Sequence, residues 1–117
     1  MITSSNNNDE IVDKINDFSK LEDGWYYTEG FKIDKSVIDC AIHIVKLSNI
    51  VHIKANAFPG IDGEILVVLY FKNGSYEFTI NKGLIIDFNE EDEEDTIREL
   101  ENITFAQVIY EIGNIKN

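Results

Sequence analysis

The chain has 117 residues, 44% of them hydrophobic, and a formal net charge of -12 at pH 7. This length and apolar content predict one folded domain with a hydrophobic core, and they exclude a largely disordered chain. The negative charge disfavours direct binding to nucleic acid and to anionic membranes, whose phosphates would repel the chain. A basic protein partner is the natural complement, although acidity also serves solubility alone.

The cysteine content and the N-terminal residues indicate the compartment. Cys40 is the single cysteine, so no intramolecular disulfide can form. The first ten residues carry neither a basic segment nor an apolar one, and no apolar run approaches the ~20 residues that a membrane span needs. We therefore expect a cytoplasmic protein.

The first helix is predicted after a flexible lead-in over residues 1–8, and a single domain is predicted over residues 9–117. Asn8 is a suitable N-cap, and the acidic residues that follow it would face the positive end of the helix dipole. Apolar residues then recur at helical spacing, at Ile11, Val12, Ile15 and Phe18.

Residues 19–32 form a glycine-punctuated loop with four aromatic side chains, Trp25, Tyr26, Tyr27 and Phe31. Aromatic residues dominate core burial, so we expect Trp25 and Phe31 to close one end of the core. The alternative is that Tyr26 or Tyr27 anchors a partner, because tyrosine is enriched among the residues that carry interface energy.

The second helix has the clearest sequence pattern of the predicted helices. Asp34 is a suitable N-cap, and Ile33 before it can pack on the first turn. The helix is expected to end near Asn49. Its apolar stripe is wide enough for the helix to lie flat on a sheet, and it contains Val37, Ile38, Ala41, Ile42, Ile44, Val45 and Leu47. A first strand is then predicted from the alternation of Val51, Ile53, Ala55 and Ala57 with polar residues.

The β-rich runs and turn residues over 56–89 predict an antiparallel meander, around which we expect the rest of the chain to pack. The dipeptide Asn73-Gly74 favours a two-residue turn that sets Phe71 opposite Tyr76. A three-residue turn with a left-handed Gly83 then sets Ile80 opposite Leu84. Side chains alternate along strands, so one face collects the predicted core, which is Ile65, Val67, Leu69, Phe71, Tyr76, Phe78, Ile80, Leu84, Ile86 and Phe88.

The opposite face of the meander is too apolar to be left in water, with Leu66, Val68, Tyr70 and Ile85. We expect the terminal helix, the aromatic loop or the second subunit of a homodimer to cover it.

Six consecutive carboxylates follow the meander and are predicted to form a solvated loop; they are Glu90, Glu91, Asp92, Glu93, Glu94 and Asp95. Thr96 and Glu99 have the spacing of a capping box for a short helical turn, and Thr104 and Gln107 have it for a terminal helix. That helix is expected to turn Phe105, Val108, Ile109 and Ile112 inward. The order α-α-β-β-β-β-α predicts an α+β domain, a four-stranded antiparallel sheet with helices on one face.

Catalytic chemistry is not indicated. Cys40 and His43 stand three apart on the second helix, but a cysteine within an apolar helix is typically inert. The carboxylates do not complete a calcium loop, because Asp92 and Arg98 occupy the positions that require glycine and a bidentate glutamate. We therefore expect no enzyme, no metal site and no cofactor.

Two short patterns resemble those of a family of small, uncharacterised bacterial proteins. The first, L-x-x-G-W … G … S … A, is carried here by Leu21, Gly24, Trp25, Gly30, Ser36 and Ala41. The second, F-P … G-G-I, is carried by Phe58, Pro59, Gly63 and Ile65, with Glu64 in place of the second glycine. The similarity covers residues 21–88 and implies a small bacterial accessory domain, with no activity, cofactor or catalytic residue to carry over.

These features favour a domain that binds and inhibits a basic, nucleic-acid-handling protein, such as a toxin, a nuclease or a defence effector. An anionic loop beside exposed aromatic residues could occupy the phosphate-binding surface of such a partner. The residues expected to bind it are Glu90, Glu91, Asp92, Glu93, Glu94 and Asp95, with Tyr26 and Tyr27. Two alternatives are a domain that binds a small ligand between the aromatic loop and the sheet, and a cysteine-dependent enzyme.

Overall fold

The computed structural model describes residues 7–115, so the predictions for residues 1–6 and 116–117 lie outside the described residues. Within that range the chain forms three α-helices, α1 (Asn7–Asp17), α2 (Lys35–Ile50) and α3 (Phe105–Gly113), with a short 3₁₀ helix at Phe18–Lys20. Five strands separate α2 from α3, and they are β1 (Lys54–Pro59), β2 (Ile65–Phe71), β3 (Gly74–Asn81), β4 (Ile85–Asp92) and β5 (Thr96–Ile103).

The strands form one antiparallel sheet in the order β1-β2-β3-β4-β5. The α+β class is confirmed, but the sheet has five strands instead of four. The missed strand is β5, because Thr96 and Glu99 lie on a strand and do not cap a helical turn. The pairing of β5 with β4 contains two irregularities. They interrupt the alternation of inward and outward side chains by which a strand is predicted, so β5 was not predicted.

The turn between β2 and β3 lies one residue earlier than predicted. Phe71 pairs with Gly74, so Lys72 and Asn73 form the turn and each partner differs by two residues from the prediction. Gly74 does not adopt positive φ. A Cβ on it would collide with the carbonyl oxygen of Glu91, so this glycine permits the close approach of β3 and β4. A displacement of two residues leaves every side chain on its predicted face.

The turn between β3 and β4 lies one residue later than predicted, and its strand partners also differ by two residues. Ile80 pairs with Ile86, and the three turn residues are Lys82, Gly83 and Leu84. Gly83 is left-handed as predicted, and Leu84 also has positive φ. Leu84 is therefore an exposed turn residue and does not belong to the core as expected.

The core lies between the helices and the predicted face of the meander. Eight of the ten residues assigned to that face are buried, whereas Phe71 is half-buried and Leu84 is exposed. From the helices, Ile15 of α1, Val108 of α3 and the stripe of α2 join the same core cluster. The buried α2 residues are Val37, Ile38, Cys40, Ala41, Ile44, Val45 and Ser48.

Asn8 has a role other than the predicted N-cap, because α1 already begins at Asn7. Its buried amide donates to Ser48 Oγ at 3.0 Å and to the carbonyl of Ile53 at 2.7 Å, and it accepts from the amide of Ala55 at 2.8 Å. Buried polar groups need such partners. This side chain therefore joins α1 to the end of α2 and the start of β1.

Both ends of α2 agree with the prediction to within a residue. Asp34 occupies the N-cap position, although its side chain forms no capping hydrogen bond. At the other end His52 has positive φ, the amide of His52 donates to Asn49, and the amide of Ile53 donates to Ser48. This is the Schellman pattern, with a non-glycine residue in the left-handed position.

The terminal helix begins as predicted, since Thr104 Oγ1 accepts from the amide of Gln107 at 3.2 Å. Its inward face differs from the prediction. Ile109 is exposed, and Glu111 is buried beside Val108 and Ile112.

Candidate functional site

The six carboxylates expected in a solvated loop lie on the β4–β5 hairpin. Glu90, Glu91 and Asp92 end β4, and Glu93, Glu94 and Asp95 form the turn before β5. The hairpin gives the backbone of the run a defined geometry, which a solvated loop would lack.

Asp92 holds this turn. Its Oδ1 accepts from the amides of Glu94 and Asp95 at 2.8 Å each, and its own amide donates to the carbonyl of Asp95. The hydrogen bonds from Asp95 and then Glu94 lower the pKa of the Asp92 carboxyl, because they favour its charged form. The carboxylate of Asp92 therefore organises the turn.

Glu90 is also engaged within the fold. It faces inward and accepts from Arg98 Nε at 2.9 Å. Thr96 Oγ1 donates to Glu91 at 2.7 Å on the opposite face of the hairpin. The remaining three side chains, those of Glu93, Glu94 and Asp95, form no hydrogen bond or ion pair with the part of the chain that the structure describes.

The turn continues into a wider negatively charged region. Glu77, Glu91 and Glu99 lie on the outward face of β3, β4 and β5, as their pairing with outward residues shows. Residues 74–103 hold ten carboxylates and only two cationic residues, Lys82 and Arg98. We use the term acidic surface for the region formed by six of these carboxylates, those of Glu77, Glu91, Glu93, Glu94, Asp95 and Glu99.

Like charges on this surface are left unbalanced. Burial, and then the charge on Glu91, raise the pKa of the Glu77 carboxyl. None of the ion pairs among residues 7–115 includes a member of the acidic surface. The surface therefore carries repulsion that a cationic partner would relieve.

The second group of predicted binding residues lies on a miniature hairpin before α2. Tyr26 and Glu29 exchange two backbone hydrogen bonds of 2.7 Å, and Tyr27 and Thr28 form the turn with φ of 49° and 71°. Two central residues with positive φ are typical of a type I′ turn. We call residues 24–31 the aromatic hairpin.

Contacts at its base fix the aromatic hairpin. The Trp25 indole donates to the carbonyl of Phe31 at 3.1 Å and lies against Gly30, where a Cβ would be 2.7 Å from the indole nitrogen. Asp23 Oδ1 accepts from the amide of Lys32 at 2.8 Å. Glycine is therefore required at position 30, both for its φ of 95° and for the approach of the indole.

Trp25 and Phe31 do not close one end of the core as expected. Tyr27 is 84% exposed, Phe31 63% and Tyr26 47%, and Trp25 is outside the buried core. The amide of Phe31 donates to the carbonyl of Ile61, which attaches the hairpin to the β1–β2 loop. The fold thus holds Tyr26 and Tyr27 at the surface.

The two groups of predicted binding residues are not adjacent. The aromatic hairpin contacts the β1–β2 loop, whereas the turn at Glu93, Glu94 and Asp95 lies at the opposite end of the strands. A strand of eight residues spans about 25 Å. The expected juxtaposition of acidic and aromatic residues is therefore wrong, and the molecule presents two separate surfaces.

Cys40 and His43 line a groove of about 630 Å³ between α2 and the junction of β5 with α3. Burial raises the pKa of the Cys40 thiol to about 11. His43 is exposed and packs against the ring of Phe105, with 6.2 Å between centroids. Burial is the cause of this shift, and His43 does not lower the pKa of the thiol. Within residues 7–115, no group of three His, Cys, Asp or Glu residues is arranged to hold a metal ion.

The outward face of β1 and β2 retains exposed apolar area. Val68 is buried, but Phe58 and Tyr70 are exposed. From α1, Lys14 reaches round the β1 edge, with Nζ 2.9 Å from Asn56 Oδ1 and 4.5 Å from the centre of the Phe58 ring. The aromatic hairpin is attached at one end of the sheet, and α3 packs on the core face. A homodimer through the outward face stays a prediction.

Comparison of the chain with protein-family models, with curated proteins and with solved structures found no match. The similarity to the small bacterial proteins and the cytoplasmic location therefore stay predictions. None of the helices described between residues 7 and 115 has the length and apolar character required to cross a membrane.

Proposed function

We propose that this protein binds and inhibits a basic, nucleic-acid-handling protein by covering the surface that the partner uses for phosphate groups. The observation that carries this proposal is the acidic surface, whose six carboxylates have no ion pair among the described residues. A phosphate-binding surface is rich in lysine and arginine, so it offers the complementary charge.

The arrangement of the acidic surface favours binding over mere solubility. Charges dispersed over a protein would serve solubility equally well, yet residues 74–103 account for eight of the twelve excess negative charges. The turn is also held in one shape by Asp92. A partner would therefore meet a turn whose backbone loses little conformational freedom on binding.

The test combines capture with inhibition. The immobilised protein is exposed to a lysate of its native host, and captured proteins are compared with those held by a variant with Glu93→Gln, Glu94→Gln and Asp95→Asn. A matched control carries Asp9→Asn, Glu10→Gln and Asp13→Asn, which remove the same charge from exposed positions on α1.

We expect the native chain and the α1 control to capture a basic protein, and we expect the turn variant not to capture it. Addition of the native chain should inhibit the nucleic-acid activity of that protein, and added DNA or RNA should displace it. Equal capture by all three forms, or an undiminished activity of the captured protein, would contradict the proposal.

The groove beside Cys40 favours a second candidate function, the binding of a small ligand. Its lining includes the apolar residues Leu84, Ile86, Ile103 and Phe105, together with hydroxyl, carboxylate and imidazole groups. An apolar cleft with few polar groups is typical of ligand sites. A rise in melting temperature with a metabolite, abolished by Ile103→Trp, would support this function. The raised pKa of Cys40 argues against a thiol enzyme, because the thiolate is the nucleophile.

A further inference from the structure

We propose that the aromatic hairpin is a docking surface for arginine side chains of the basic partner, an inference that rests on the proposed function. The surface comprises the exposed rings of Tyr26, Tyr27 and Phe31, together with Ile61 of the adjoining β1–β2 loop. It lies at the end of the sheet opposite the acidic turn, so it is a second contact site and not an extension of the first.

The backbone of the hairpin tip is the first observation in its favour. Tyr27 and Thr28 are both left-handed, in a turn for which asparagine and glycine are the unstrained choices. A β-branched residue such as threonine is particularly disfavoured there. The hydrogen bonds at the base hold this conformation, and its effect is to project the Tyr27 ring into solvent.

The packing of the rings within the hairpin affects binding, because side chains and loops that become ordered only on binding lose conformational entropy. The Tyr26 and Tyr27 rings already lie edge to face with 4.8 Å between centroids, and the Tyr26 ring lies 5.8 Å from that of Trp25. Tyrosine presents a large contact area at low entropic cost, which is why it anchors many interfaces. The hairpin is therefore ordered before a partner arrives.

The groups around the rings select the chemistry of the occupant. A cleft of about 320 Å³ separates the hairpin from the β1–β2 loop, with Phe31 and Ile61 as apolar lining and with Glu29 and Asp62 contributing carboxylates. Neither carboxylate has an ion pair among residues 7–115. Two cations, Lys32 and Lys82, line a neighbouring pocket with Phe31 and Asp62, and Lys32 is paired with Glu22 at 3.5 Å.

Aromatic faces next to free carboxylates match a guanidinium group better than an ammonium group. Arginine is planar, stacks on aromatic rings and binds a carboxylate through two parallel hydrogen bonds. Lysine is a more strongly hydrated point charge with no flat face. The geometry therefore favours an arginine-containing segment over a lysine-containing one and over a neutral apolar segment.

Trp25 supplies a local reporter, because it is the single tryptophan of the chain and lies within the hairpin. The probe is an acetylated peptide of alternating glycine and arginine, titrated at low salt while tryptophan fluorescence is followed. Matched peptides carry lysine or citrulline in place of arginine. We expect a saturable change with arginine, a weaker one with lysine and none with citrulline.

Two variants test the role of the Tyr27 ring. Tyr27→Asn removes the ring but suits the left-handed turn, so the hairpin is kept and the affinity of the arginine peptide should fall at least about tenfold. Tyr27→Ala should have the same effect. The control is Tyr110→Ala on α3, which removes an exposed ring outside the aromatic hairpin and should leave the affinity unchanged.

The outcome separates this inference from the proposed function. Absence of a Trp25 response, equal responses to arginine and citrulline, or an unchanged affinity of Tyr27→Asn would overturn the inference. Capture of a basic protein through the acidic turn would still stand in each of those cases. A Trp25 response with no dependence of capture on Glu93, Glu94 and Asp95 would support the docking surface and count against the acidic surface.

Discussion

Arg98 on β5 forms a double hydrogen bond with Glu111 on α3, with 2.6 Å between Nη2 and Oε1 and 3.3 Å between Nη1 and Oε2. The same guanidinium donates through Nε to Glu90 at 2.9 Å and lies 5.2 Å from the centre of the Phe88 ring. Glu111 is only 2% exposed. Arg98 therefore joins the terminal helix to the last two strands.

The first prediction is that Arg98→Met weakens this attachment. The substitution leaves the Glu111 carboxylate buried without its cation, and removal of one partner costs more than the pair itself contributes. Because Arg98 is partly exposed, we expect a loss of about 2 kcal/mol in the free energy of unfolding, measured in urea. The double variant Arg98→Met with Glu111→Leu should recover part of that loss. A cost for Glu99→Gln equal to that of Arg98→Met would contradict the assignment.

The second prediction concerns pH. The pKa of Glu111 is lowered, first by its hydrogen bonds with Arg98, so its contribution to stability is present above the ordinary glutamate value and is lost as the pH falls below roughly 4.3. The pKa of Glu77 is raised, so its charged form destabilises the fold and stability falls as the pH rises through that pKa. Unfolding experiments across pH should therefore show maximal stability under mildly acidic conditions.

Two single substitutions separate these effects. Glu77→Gln should flatten the loss of stability towards neutral pH and leave the acid side unchanged. Glu111→Gln should lower stability at neutral pH and reduce the loss in acid. If both variants keep the pH profile of the native chain, these two carboxyls do not control it.

The buried face of the sheet could be predicted because side chains alternate along a strand whatever the register. Both turns differ from the prediction by one residue, yet Val67, Phe78 and Ile86 remain inward, since the strand partners change by two residues. The turn positions themselves were not predictable. Asn73-Gly74 has the sequence of a type I′ turn, but Gly74 serves the contact between β3 and β4.

The candidate surfaces were less predictable than the core. Turn rules assign positive φ to glycine and asparagine, whereas here Tyr27, Thr28 and Leu84 adopt it. The carboxylate run resembles a loop because adjacent charges repel. One feature of the sequence does indicate a turn here. An aspartate side chain commonly accepts hydrogen bonds from backbone amides two and three residues later, as Asp92 does from Glu94 and Asp95.

The third prediction tests the register of the meander. Phe78 lies opposite Val67 on one side and Phe88 on the other, fully buried in the core. Phe78→Ala should cost about 3–5 kcal/mol, because the cavity cannot close. Tyr70→Ala, on the outward face of β2, should cost far less in the same thermal and urea unfolding experiments. Equal costs at the two positions would mean that the assigned faces are incorrect.

The fourth prediction is that Cys40 is unreactive in the folded protein. With its thiol pKa raised to about 11 by burial, alkylation by iodoacetamide near neutral pH should be slower than that of a free thiol by on the order of a hundredfold. Denaturation in urea should remove the difference. His43→Ala should leave the rate unchanged, and rapid alkylation that depends on His43 would revive the thiol enzyme.

The last prediction separates the two surfaces by kinetics, using the basic protein that the immobilised chain captures. Exposed charges act over about 8 Å at physiological salt, and they guide approach more than they hold the complex. Neutralising Glu93, Glu94 and Asp95 should therefore slow association and weaken its salt dependence, with dissociation little changed. The α1 control at Asp9, Glu10 and Asp13 should associate nearly as fast as the native chain, although its net charge equals that of the turn variant. Tyr27→Asn should accelerate dissociation at every salt concentration, because it removes a desolvated contact. If the turn variant and the α1 control slow association equally, net charge alone steers the encounter and the position of the acidic turn has no part in it.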